Sequence, residues 1–201
     1  IMKKYVLILF VFSALLGCKD NPVSKKIKET KDAVSNSTNA VQEMNKMQDD
    51  IKELQETAPL TNEELKAWLP EEVEGLNRIS YKAGQAGMMN ISSIEATYAN
   101  EDKSKKFSIN IIDGAGQVGA AATAGIRMVM SQDFEEEDEN GSRRTVNKNG
   151  KKAIEEYRTS NNRSKIQLME GNRFYLEATG SNMDLDETWD AIEDLDIENL
   201  G

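Results

Sequence analysis

Gly114-Ala115-Gly116-Gln117-Val118-Gly119 fits the spacing G-x-G-x-x-G, follows a strand-like run and opens a helix-like one. In a dinucleotide site such glycines let a pyrophosphate approach the backbone amides at a helix amino end, and Asp133 stands about where a ribose-binding acid belongs. The flanking pattern opposes that use. A first Rossmann strand is buried on both faces and reads as continuously apolar, whereas Phe107, Ile109 and Ile111 alternate with Ser108 and Asn110. The glycines are therefore expected to serve close helix packing, and no cofactor is assigned.

Glu136-x-Asp138-x-Asn140-Gly141 approaches the start of a calcium loop, with oxygen ligands at alternate positions before a glycine. Its first position is Glu136 where Asp belongs, and its twelfth is Asn147 where a bidentate Glu belongs, so no metal is expected. Just beyond lie Arg143, Arg144, Lys148, Lys151 and Lys152. These cations either neutralise the acidic run Asp133 to Glu139 and guard an edge strand, or they help receive a partner. In the second case Glu135, Glu136, Glu137, Glu139, Arg143 and Arg144 are the contact residues. Histidine is absent from the 201 residues, which removes Ser-His and Cys-His nucleophile pairs and the usual zinc ligands. Catalysis would have to use carboxylates, Ser and Lys, so a hydrolase of that kind is the alternative to a binding protein.

Met2 to Cys18 decides where such a domain works. Two lysines precede an apolar run from Tyr5 to Leu16, too short for a permanent membrane span and of the length of a signal-peptide core. Leu15-Leu16-Gly17-Cys18 resembles the lipobox of bacterial lipoproteins. The resemblance implies lipidation of the Cys18 thiol, cleavage after Gly17, and a third acyl chain on the new amino terminus. Lys19, standing where Asp would retain a lipoprotein in the inner membrane, implies the outer membrane, on its periplasmic face or at the cell surface. Cys18 is the one cysteine, so the fold is expected to stand without disulfides. The formal charge of −10 becomes two units more negative when Lys3 and Lys4 leave with the signal. Nucleic acid is not an expected partner of so acidic a chain.

The remaining pattern supplies the scaffold. Ile27, Val34 and Val41 are seven apart, and Met44, Met47, Ile51 and Leu54 continue at steps of three and four, drawing one narrow apolar seam. Residues 18–58 read as a helical or partly disordered tether that holds the domain off the membrane and can self-associate through the seam. Thr61 and Glu64 form a capping box for a helix that Pro70 stops after Trp68. Leu76 to Tyr81 alternates, Gly84 and Gly87 mark a turn, and the apolar side of the next run changes near Ser92-Ser93, which predicts a bulge there. Val118, Ala122, Ile126 and Val129 or Met130 share one face of a helix over 114–130. Asn149-Gly150 and Gly171-Asn172 predict two hairpins. Asp184 and Glu187 cap a last helix whose Leu185, Trp189 and Ile192 share a face, and Leu195, Ile197 and Leu200 close the core.

Residues 59–201 therefore read as one α+β domain, a mainly antiparallel sheet of about six to seven strands with packed helices. Residues 1–17 are the expected signal peptide. The expected function is that of a membrane-anchored cell-envelope lipoprotein whose domain binds a ligand or an envelope protein without acting on it.

Overall fold

The structure, a computed structural model, describes Gln42 and residues 45–86 and 91–200. The chain divides into two units, Ile1–Gln48 and Asp49–Gly201. In the first, Gln42 and residues 45–48 are helical. Cys18 and its lipobox lie outside the described residues, as do Ile27, Val34, Val41 and Met44 of the seam, and Gly87. The second unit opens with helical residues 49–56, called α1. No helix among the described residues is long and apolar enough to cross a membrane.

Helix α2 (Asn62–Trp68) starts at the expected capping box: Glu64 N donates to Thr61 Oγ1 at 3.2 Å, and Thr61 N donates to Glu64 Oε2 at 2.7 Å. Leu69, held extended by the following proline, ends it. The sheet has nine strands: β1 (Glu72–Val73), β2 (Leu76–Ala86), β3 (Ile91–Ala99), β4 (Lys106–Asp113), β5 (Glu135–Asp138), β6 (Gly141–Lys148), β7 (Lys151–Arg158), β8 (Arg163–Glu170) and β9 (Phe174–Ser181). Helix α3 (Gly116–Met130) joins β4 to β5, and α4 (Leu185–Asp194) follows β9. Spatial order is β1-β2-β3-β4-β9-β8-β7-β6-β5, with every neighbouring pair antiparallel. Two meanders thus meet where β4 pairs with β9, and α3 is the long connection between them.

The α+β class and the antiparallel sheet agree with the sequence; the sheet is larger by its two edge strands. At two residues, β1 is too short to show a period. Strand β5 lies within the acidic run, whose consecutive carboxylates carry no strand pattern. Glu135 pairs with Arg144 and Glu136 with Arg143, so cations stand opposite acids while all four β5 side chains remain exposed. Both hairpin turns form as predicted, with Asn149, Gly150, Gly171 and Asn172 all at positive φ.

Three local expectations are corrected. Gly84 lies within β2 instead of a turn. The bulge sits in β2 between Arg78 and Ser80, while β3 pairs through Ser92 and Ser93 without a break. The apolar side of β3 changes because both of its faces are covered there: Ser92 Oγ donates to Leu60 O at 2.6 Å and Ser93 Oγ to Gly84 O at 3.2 Å. Helix α3, finally, buries Gly119, Ala120, Thr123 and Met130 and exposes Val118, Met128 and Val129. Small residues win the sheet side because they let the helix axis approach, which outweighs the transfer of a few larger side chains from water.

One face of the sheet carries the main core. Phe107, Ile109 and Ile111 of β4, Leu176 and Ala178 of β9, and Ile166 and Leu168 of β8 are in register there and buried. Helices α2 and α4 cover them, with Leu65, Trp189, Ala191 and Ile192 turned inward and Leu195, Ile197 and Leu200 sealing the end. Trp68 is only partly buried against this core, and its Nε1 donates to Asp196 O at 3.3 Å. Helix α3 lies on the opposite face.

Candidate functional site

The glycine motif is used up by packing. A Cβ on Gly114 would lie 2.6 Å from Arg173 O, and one on Gly119 would lie 2.7 Å from Asp113 O. Gly116 has φ +76° with Pro59 3.0 Å from the Cβ position, and its amide donates to Thr57 O at 3.0 Å. The place a phosphate would take at this helix end is thus filled by residues 57–60 of the same chain. Asp113, wholly buried, fixes the arrangement: Arg173 Nε and Nη2 donate to its two oxygens at 2.8 and 2.9 Å, and Ala115 N and Leu60 N at 2.9 and 2.8 Å. Every oxygen of this buried carboxylate is satisfied, as its burial demands.

The calcium-like run also has a local use. Asp138 Oδ1 accepts from Asn140 N at 2.8 Å and Gly141 N at 3.0 Å, closing the β5–β6 turn. These hydrogen bonds, that of Asn140 N first, hold the Asp138 carboxyl below its ordinary value. No group of three or more Cys, Asp or Glu among the described residues is placed to hold a metal ion.

Most cations of the neighbouring hairpin have internal partners. Arg144 meets Glu155 at 3.2 Å, and that carboxylate, 6% exposed, also accepts from Trp189 Nε1 at 2.7 Å. Lys148 lies 3.5 Å from Asp186 and over the Trp189 ring, and Lys152 lies 2.8 Å from Asp133. Lys151 bridges Glu170 at 2.7 Å and Glu198 at 3.0 Å. Burial alone would lower the Lys151 pKa, but the hydrogen bonds to Glu170 and Glu198 outweigh it and raise the value, so this amine stays protonated. A cavity of about 300 Å³ between α4 and the β6–β8 strands is lined by Lys148, Lys151, Glu170, Trp189 and Glu198 among others, and both of these lysines are ion-paired.

Arg143 differs from the others. Its guanidinium stacks over Phe134 at 4.6 Å and makes no hydrogen bond or ion pair among the described residues. It stands across the strands from Glu136 and Glu156, but Glu156 is bound by Arg158 at 2.8 Å and Glu136 is exposed. Arg143 also lines a cleft of about 250 Å³ under the edge of α3, with Gly125, Ile126, Val129, Met130, Ile154, Gln167 and Tyr175. Tyr175 OH donates to Glu177 Oε2 at 3.2 Å, and Gln167 Nε2 donates to both Tyr175 OH and Glu177 at 2.5 and 3.0 Å. Burial, followed by the Glu177 charge, pushes the Tyr175 hydroxyl up to about 12, so it remains a donor. Lys165, 2.9 Å from Glu177, offsets that charge.

Of the six residues singled out on the acidic run and hairpin, Arg143 alone reaches this cleft. Glu135, Glu136 and Glu137 form the exposed edge strand, Glu139 lies in its turn, and Arg144 is on the opposite face with Glu155. Sequence reasoning missed Gln167, Tyr175 and Ile154. Their signal was the residue parity of the two predicted hairpins, which puts Ile154, Gln167 and Tyr175 on one face once the strands are registered.

No family model matches the chain, and no curated protein matches it. A solved structure described as a GTP binding regulator from Thermotoga maritima is similar over 68% of this chain and 84% of its own, at 10% identity and a TM-score of 0.33. A likeness of that size carries no argument about function.

Proposed function

We propose that this is a lipid-anchored cell-envelope protein whose sheet domain holds a ligand in the cleft under α3 without acting on it chemically. The anchor is Cys18, on the strength of the Leu15-Leu16-Gly17-Cys18 resemblance, and Lys19 favours the outer membrane. Acyl chains contribute about 0.8 kcal/mol per buried methylene, and more than one chain makes attachment stable. Cys18→Ser is expected to release the protein from the membrane fraction; retention of that variant with unchanged processing would remove the anchor.

One observation carries the binding half. Helix α3 turns Val118, Met128 and Val129 to solvent at 44, 61 and 53% exposure, and Val129 also lines an open cleft with an apolar wall and one cationic end. Concave, mostly apolar sites with a few placed polar groups are where small molecules bind. Among the described residues, the cleft lining contains no carboxylate, serine or lysine, so the groups a hydrolase would need on this chain do not meet there. Native mass spectrometry of the full chain released from membranes tests the reading. A retained small molecule is expected on the wild type and not on Gly125→Leu, which adds a bulky side chain at a residue that lines the cleft; equal retention by both would overturn it.

A further inference from the structure

We infer that the cleft under α3 is built for a small apolar molecule bearing a single carboxylate, held by Arg143; this rests on the reading of that cleft as the binding site. The wall supplied by Ile126, Val129, Met130 and Ile154 offers contact to an apolar body and no hydrogen bonds. At about 250 Å³ the space corresponds to about eight water-sized units, which suits a body of one ring or a short chain.

Charge complementarity selects the head group. A guanidinium presents paired donors that match a carboxylate, and among the hairpin cations that of Arg143 is the one in the cleft without an ion-pair partner among the described residues. Its rear face is held by the Phe134 ring, so its orientation is set before a ligand arrives. The half-buried acids of this face do not repel an incoming anion strongly: Glu156, across the strands from Arg143, is bound by Arg158, and Glu177 is bound by Lys165, Gln167 and Tyr175. A cationic ligand would instead meet Arg143 with nothing in the lining to offset it.

The experiment titrates the full chain with phenylacetate and with its neutral counterpart phenylacetamide, following ligand-detected NMR or calorimetry. Phenylacetate is expected to bind the wild type in the millimolar range or tighter, a range allowed for a ligand of this size. Arg143→Gln should weaken phenylacetate at least about tenfold, the loss of one charge-assisted contact, and leave phenylacetamide within about twofold. Gly125→Leu should abolish both. That substitution is safe for folding, since a Cβ at Gly125 meets nothing within 4 Å and leucine is the better helix former. Phenylacetate binding that is unchanged in Arg143→Gln, or absent from the wild type, overturns the inference. If mass spectrometry finds a retained molecule without an anionic group that Gly125→Leu expels, the carboxylate assignment falls while the cleft remains the binding site.

Discussion

The two faces of the sheet are treated differently by the same chain. Under α2 and α4, Phe107, Ile111, Ile166 and Leu176 form a layer that is closed to water. Under α3 the sheet shows half-buried polar side chains, Thr97 hydrogen-bonded to Ser108 and Gln167 to Glu177, with Asn110 beside them and a cleft at the helix edge. The closed face fixes the register of all the long strands, because a one-residue slip would turn its apolar set into water. The α3 face is relieved of that task. A binding surface is tolerated there since the fold does not depend on filling it.

The contrast predicts a large difference between truncations on the two faces. Ile111→Ala, at a wholly buried position, should cost about 3 kcal/mol or more, whereas Ile126→Ala beside the cleft should cost about 1 kcal/mol, because water and neighbouring side chains can fill what is lost. Urea unfolding followed by Trp189 fluorescence measures both. Equal costs would mean that α3 closes a second core and that the cleft is not open.

A somewhat smaller effect is expected at the amino end of the domain. Leu54 on α1 is buried, Thr57 O accepts from Gly116 N, and Ala58 O accepts from Arg173 Nη2 at 3.3 Å. Residues 59–201 should still fold in one transition, since both tryptophans and the whole sheet lie within them. Restoring 49–58 should add about 2 kcal/mol from the leucine and the two hydrogen bonds. A truncated chain that remains unfolded would show these residues to be part of the core that defines the closed face.

Legibility from sequence followed the same division. Phe107, Ile109 and Ile111, the two Asn and Gly turns and the capping boxes at Thr61 and Asp184 each state a local rule that the tertiary structure keeps. The α3 face was misread because small residues leave a weak period: Val118 and Val129 suggest a buried stripe, while Gly119, Ala120 and Thr123 take it. Strand β5 was hidden by composition, since four consecutive carboxylates hold an edge only when Arg143 and Arg144 stand opposite, and that pairing exists only in the registered sheet. Arg143 was visible as a cation; that it closes no ion pair among the described residues was not, because the partners of Arg144, Lys148, Lys151 and Lys152 come from other elements.

A modest effect should appear in acid, and it belongs to the closed face. Glu187, at the start of α4, is held below its ordinary 4.5 first by the Lys105 hydrogen bond at 2.6 Å and then by the Asp184 amide, which donates to Glu187 Oε2 at 3.0 Å. Because the folded value lies below the unfolded one, its contribution is complete above pH 4.5 and is lost as pH falls through the folded value. Melting temperature should therefore decline below about pH 4.5 and decline less steeply in Glu187→Gln. With no histidine, no histidine-linked step is expected between about pH 6 and 8. An identical acid slope in the variant would show that the Lys105 pair does not bind α4 to the sheet.

The smallest effect on stability is expected at the acidic edge, and it separates the edge from the α3 cleft as a place of recognition. Glu135, Glu136 and Glu137 are exposed on β5, and the opposed charges of Glu135 and Arg144 and of Glu136 and Arg143, in register without closing as ion pairs, contribute at most a few tenths of a kcal/mol each. Mutual repulsion among the acids works against that gain, so changing Glu135, Glu136, Glu137 and Glu139 to Gln together should move the midpoint of unfolding by less than about 0.5 kcal/mol. Ligand retention in the cleft should persist, because Arg143 keeps its stacking on Phe134 and loses only the field of Glu136. Removing that field should, if anything, strengthen phenylacetate binding and reduce its dependence on salt. Loss of retention with stability intact would move recognition from the cleft to the edge strand. Loss of stability would instead show that β5 depends on the charges of Arg143 and Arg144, which stand opposite it, for its place in the sheet.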